Sequence, residues 1–243
     1  MTTTGSLGRR PAVELPGDPG MLNLEYRHNC RAAGLGPEFD TSYEWTVSVT
    51  ELHRRHKWAA RSDVVPGPEI GSFTFVRFCD DGRGGALSAA EGDDLELYNT
   101  LLAFVSWDGG IEEAFRDLVR RPTPDVLLLF RARLDRPWRG FGLGPALAAE
   151  AIRTLAHGCG AVLVAPRMKE DPEDGTPVTT EYWEHANARI AAMWQRAGFR
   201  PYAAAPSLLL LDPNAAEYDR SLARLRDELT DLAEAYKAVH STG

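Results

Sequence analysis

Cysteine is scarce in this chain. Cys30, Cys79 and Cys159 stand far apart with no CxxC or Cys/His ligand spacing, which argues against a disulfide framework or a structural zinc and fits a reducing, cytoplasmic compartment. No metal is expected. Positive charge is in deficit as well: 27 Lys and Arg against 35 Asp and Glu leave a formal net charge of −8. Nucleic-acid binding draws most of its free energy from clustered cations, so no nucleic-acid partner is expected. The run His53, Arg54, Arg55, His56, Lys57 is the local exception, and such runs are usually solvated faces. Long apolar runs are missing too. None approaches the roughly twenty residues that span a bilayer, and the first residues lack the apolar core of a signal peptide, so neither a membrane partner nor that export route is expected.

What is present suffices for a packed core: 243 residues, 44% of them hydrophobic, enough for one large domain or two small ones. Residues 1–20 mix Thr, Gly, Ser, Pro and charges without periodicity and are expected to be a flexible tail. Residues 21–211 read as the domain and 212–243 as a C-terminal helix. Within the domain, residues 22–31 look like a short helix. Trp45, Val47 and Val49 alternate with Thr46, Ser48 and Thr50 as a half-buried strand, and Pro66-Gly67-Pro68 breaks the chain before a second strand over 70–78. Asp80, Asp81, Gly82, Arg83, Gly84 and Gly85 lack the Lys-Ser/Thr of a phosphate loop and read as a hairpin or linker. Residues 95–105 and 111–119 look helical, with Leu95, Tyr98, Leu101, Leu102 and Val105 on one face.

The informative stretch is residues 125–155. An apolar run over 126–130 continues as Phe130, Ala132 and Leu134 alternating with Arg131 and Arg133, the pattern of a buried strand whose far end is half exposed. Arg139, Gly140, Phe141, Gly142, Leu143 and Gly144 follow, and then Leu147, Ala148, Ala151, Ile152 and Leu155 recur at helical spacing. Alternate glycines allow a sharp turn and strip away the Cβ atoms that would keep a ligand from the peptide N–H groups. With the positive end of the helix dipole, those N–H groups suit a phosphate or pyrophosphate. Pro145 fits inside the first turn, where its missing N–H has no intrahelical partner. The spacing is not GxGxxG, and the next strand, 161–165, ends in Pro166-Arg167 with no acid for a ribose, which disfavours a dinucleotide. A turn with no ligand is the plain alternative, though it needs neither Arg139 nor three alternating glycines.

At these residues the chain resembles the GNAT superfamily of acyl-CoA-dependent N-acyltransferases. Arg139, Gly142 and Gly144 fit the acyl-CoA motif of that family, set between a central strand and a helix. Asn187, Ala188, Arg189, Ala191, Ala192, Trp194, Gly198 and Phe199 resemble its second motif, and the match spans residues 124–211. The resemblance implies an α/β (α+β) fold with a mixed, mostly antiparallel central sheet, a parallel splayed strand pair and flanking helices, to which this chain adds its long C-terminal helix. It implies acetyl-CoA or another short acyl-CoA as co-substrate, held by Leu134, Arg139, Gly140, Phe141, Gly142, Leu143, Gly144, Asn187 and Trp194, with the pantetheine arm pairing to backbone near Leu134. The acceptor it implies is an amine on a small molecule. A helical segment just before the cofactor strand departs from the family pattern.

Acyl transfer to an amine needs a neutral amine, a stabilised oxyanion and a thiolate that can leave. In the family a Tyr commonly protonates the thiolate, and here that position is Trp194, whose indole has no proton to give. Tyr182 and Tyr202 bracket the helix as substitutes, and Glu181, Glu184 and His185 are candidate bases acting through water. Glu170, Asp171, Glu173 and Asp174 form an acidic loop that is either plain surface or a lip steering a cationic amine. Two classes of function follow: an N-acyltransferase, or a GNAT-fold protein that holds CoA without turnover in a regulatory or interaction role. Finally, residues 214–239 read as one helix with Leu222, Leu225, Leu229, Leu232, Tyr236 and Val239 as a narrow seam. The seam has two uses, lying across its own domain or closing a two-fold homodimer.

Overall fold

The computed structural model describes residues 9–29, 42–54, 64–79, 95–105, 117, 125–167 and 179–240. Among these residues, seven strands form one mixed sheet: β1 (Leu22–Asn29), β2 (Ser42–Arg54), β3 (Val64–Cys79), β4 (Asp125–Leu134), β5 (Ala161–Val164), β6 (Arg200–Pro201) and β7 (Leu209–Leu211), in the spatial order β1-β2-β3-β4-β5-β7-β6. Every neighbouring pair is antiparallel except β4 and β5, which run parallel. The helices are α1 (Leu95–Leu101), α2 (Leu143–Leu155), α3 (Thr180–Arg196) and α4 (Ala216–His240).

Strand periodicity sorts the core to the two sides of the sheet. Val47, Val49, Phe73, Phe75, Leu127 and Leu129 share one cluster with Ala148 and Ile152 of α2, Trp194 of α3, and Leu222 and Leu225 of α4. Val76, Phe78, Val126, Leu128, Leu163 and Leu210 belong to the other, with Leu101 and Phe104. At Phe130 the alternation breaks. Leu129 pairs with Phe75 and Arg131 with Thr74, so Phe130 is an extra residue, a bulge. A one-residue insertion moves every later side chain to the opposite face. Phe130 accordingly packs with the second cluster and Leu134 with the first, which corrects the expected single face for Phe130, Ala132 and Leu134.

Other expectations are corrected as well. Of the expected helix over 22–31, the described residues 22–29 are a strand: Leu22, Leu24 and Tyr26 pack on the first cluster while the segment pairs with β2, a period of two that the sequence reading missed. Pro66-Gly67-Pro68 lies inside β3, where two register shifts between β2 and β3 accommodate it. The helix expected over 95–105 ends at Leu101, with Leu95 and Leu102 exposed. Residues 9–20, expected as part of a flexible tail, are ordered instead: 3-10 turns lie at Ala12–Glu14 and Pro19–Met21, and Leu15 is buried in the first cluster. The segments 1–8, 55–63, 80–94 and 168–178 lie outside the described residues, as does the second expected helix, 111–119, apart from residue 117.

The seam of α4 is covered by its own chain. Tyr218, Leu222, Leu225 and Ala233 are buried, Leu229, Leu232 and Tyr236 pack on the first cluster, and Val239 is exposed. The Tyr218 hydroxyl donates to Ala149 O at 2.7 Å and the Arg226 guanidinium binds Glu150, fixing α4 to α2. Burial, followed by the nearby Glu150 charge, pushes the Tyr218 phenol up and keeps it a donor.

Candidate functional site

The strand pair β4–β5 opens at one end. Parallel pairing runs from Val126↔Ala161 to Leu129↔Val164, where β5 ends, while β4 continues to Leu134. The bulge at Phe130 starts this divergence. On the other side β4 stays paired with β3, and Asp135 N–H donates to Ile70 O at 2.8 Å. That bond makes Gly71 and Leu134 a non-hydrogen-bonded pair of the antiparallel ladder, and Phe73 and Ala132, two residues along, another. The peptide groups of Ala132 and Leu134 therefore point away from β3. They face the β5 side, where, among the described residues, no strand pairs with β4 beyond Leu129.

One of those groups is occupied: Leu134 O accepts from Arg139 Nε at 2.5 Å. Arg139 thus ties the strand end to the turn. The turn is anchored from inside by Trp138, Phe141, Leu143 and Pro145, all buried, while Gly140, Gly142 and Gly144 alternate with them toward the outside. Gly140 and Gly142 have φ of +91° and +84°, where a Cβ is strained. Gly144 has a local reason, since helical backbone before Pro145 is crowded when the residue carries a Cβ. Gly142 is the cap residue of α2 and offers no side chain to its first N–H groups, whereas Thr179 caps α3 by accepting from Tyr182 N–H at 3.1 Å. The start of α2 keeps bare donors and a positive dipole end.

Residues from far away in the sequence complete the surroundings. Arg10 N–H donates to Gly140 O at 3.1 Å, its Nη1 donates to Arg139 O at 3.2 Å, and its guanidinium lies 4.7 Å from the Phe141 ring centre. A Cβ on Gly142 would come within 3.0–3.1 Å of the Arg9 guanidinium. Arg9 is bound to Glu228, which also holds Arg196 at 2.9 Å and Arg224 at 2.7 Å. Burial pushes the Glu228 carboxyl up, but hydrogen bonds from Arg9 and Arg224 outweigh it and hold the group below the usual carboxylate range. Nothing in the sequence marks Arg9, Arg10 or Glu228, because no local pattern encodes a contact across about two hundred residues.

Of the expected site residues, Leu134, Arg139, Gly140, Phe141, Gly142, Leu143 and Gly144 come together in this strand end and turn. Asn187 is half-buried on α3. Trp194 is a core residue whose ring meets Phe199 edge-on at 5.9 Å. Tyr182 and Glu184 are exposed near the start of α3, and Tyr202 is buried in the cluster on the other side of the sheet. The three catalytic candidates do not form one group. The acidic residues of 170–174 lie outside the described residues.

Neither protein-family models nor curated protein sequences gave a match to this chain. Among the described residues, no helix is long and apolar enough to cross a membrane.

Proposed function

We propose that the chain is an N-acyltransferase that moves an acetyl or other short acyl group from acyl-CoA to the amine of a small molecule, in keeping with its GNAT-like motifs. What carries the reading is the backbone of Ala132 and Leu134, directed into the open end of β4–β5 beside a glycine turn with uncapped N–H groups. A diphosphate suits the turn, and an amide-bearing arm suits the free edge of β4, where strand-like hydrogen bonds hold an extended ligand. The Leu134 N–H then donates to the thioester oxygen as negative charge develops there. The amine attacks the thioester carbon, the C–S bond breaks with the sulfur leaving as the CoA thiolate, the amine proton leaves through solvent or an exposed group such as Glu184, and the thiolate takes a proton from solvent to become the free thiol.

A second reading, CoA binding without turnover, is favoured by Trp194, a buried indole where a proton donor is expected. One assay separates them: purified protein is incubated with acetyl-CoA and a panel of small amines while free thiol is followed. Amine-dependent thiol release supports the transferase. CoA binding with no such release selects the second reading, and absence of CoA binding discards both.

A further inference from the structure

We propose that Arg9, Arg196 and Arg224 form a second anion site, for a phosphomonoester carried by the same ligand whose diphosphate sits on the glycine turn. The proposal rests on the acyl-CoA reading and deepens it. CoA carries such a group on its ribose, whereas a phosphopantetheine arm carried by a protein does not.

Three guanidiniums converge on the single carboxylate of Glu228, which leaves two positive charges in excess. Their side chains are 35–44% exposed, so a solvent-borne anion can reach them. Glu228 has two oxygens to offer. Arg224 also gives an N–H to Arg196 O, yet three guanidiniums bring fifteen N–H donors between them, far more than one carboxylate can accept. A phosphate with three oxygens and up to two charges matches that surplus better than the resident carboxylate does. Position links the cluster to the turn: the Arg9 guanidinium sits against Gly142, the cap residue of α2. A diphosphate on the turn therefore has these cations within reach of a second phosphate on the same molecule. The arginines come from the N-terminal segment, the end of α3 and the middle of α4, and Glu228 keeps them gathered while no phosphate is bound.

The test is calorimetric titration of the full chain with CoA and with 3′-dephospho-CoA. CoA should bind about tenfold more tightly than its dephosphorylated form, the difference expected for charge-assisted hydrogen bonds to one phosphate. Arg224→Ala should bring CoA down to the affinity of dephospho-CoA and leave the latter unchanged. Glu228→Gln, which keeps shape and removes the competing charge, should tighten CoA several-fold without affecting dephospho-CoA, and so probes the site without deleting a cation. Equal affinity of the two ligands for the parent protein would overturn the second site alone. Equal weakening of both ligands by Arg224→Ala would overturn it as well, making the cluster a support for the turn. Failure of both ligands to bind the parent protein would overturn the acyl-CoA reading with it.

Discussion

Replacing Gly142 by Asn and by Asp separates backbone strain from charge at the turn. Gly142 has φ of +84°, and a left-handed conformation costs an ordinary residue about 1–2 kcal/mol, with Asn and Asp at the low end. The new Cβ also meets the far end of Arg9 at 3.0–3.1 Å, which a flexible side chain can vacate. Both variants should thus lose about 1 kcal/mol and melt about 2–4 °C below the parent. They are nearly isosteric and differ in one negative charge. Two unit charges 4 Å apart repel by about 1 kcal/mol in water and about 4 kcal/mol at an effective dielectric of 20. Gly140 is exposed and Gly142 half-buried, so solvent screens the repulsion and the lower half of that range applies. The Asp variant should bind CoA about tenfold more weakly than the Asn variant, with matching melting curves. Calorimetry and differential scanning on the two proteins check both halves. Equal CoA affinities in the two folded variants would refute the placing of an anion on this turn; matched affinities with unequal melting would refute the strain estimate as well.

Leu225 is 1% exposed on the inner face of α4, so Leu225→Glu combined with Leu229→Glu should cost at least the roughly 2–5 kcal/mol of a Leu→Ala core truncation and lower the melting temperature by about 10 °C. Sedimentation should show the same assembly state as the parent, and a change of state instead would point to an interface on this helix. Glu150 is held below the usual carboxylate range, first by hydrogen bonds from Arg226, against an opposing burial effect, and then by Arg153. A lowered folded-state pKa contributes stability above the unfolded value that is lost as pH falls through the folded one. Glu150→Gln should therefore melt lower than the parent at neutral pH, with the gap closing below about pH 4; a gap that persists in acid would show that the pairing is not its source.

The stretch from β4 to β5 was legible because its information is local: an apolar run, glycines that only a left-handed turn requires, and a helical repeat within forty residues. The parallel pairing of β4 with β5 followed from the strand–helix–strand order, whereas the mixed, mostly antiparallel sheet class came from the resemblance. β1 was misread because a short alternation such as Leu22, Leu24, Tyr26 becomes a strand only through its pairing with β2, a tertiary fact. Pro66-Gly67-Pro68 reads as a break, yet a bulged ladder needs no N–H at those positions. The seam on α4 was visible while the surface it covers was not. In the candidate site the strand end and turn were legible, but Phe130 as a bulge, the inward turn of Arg139 to Leu134 and the seating of Arg9 and Arg10 depend on how separate segments meet.

The long helix has a consequence for biosynthesis. Leu222 and Leu225 complete the cluster built on Val47, Val49, Phe73 and Phe75, to which α2 and α3 also contribute, so a ribosome that has delivered residues up to 212 holds a sheet with one apolar face covered only in part. Synthesis proceeds at about 5–20 residues per second, and contacts between distant segments form late. Until α4 emerges, the nascent chain is exposed to aggregation and to chaperone capture. Cells translating a message cut just after residue 212 should accumulate the product in the insoluble fraction, because the product lacks the segment that completes its first cluster.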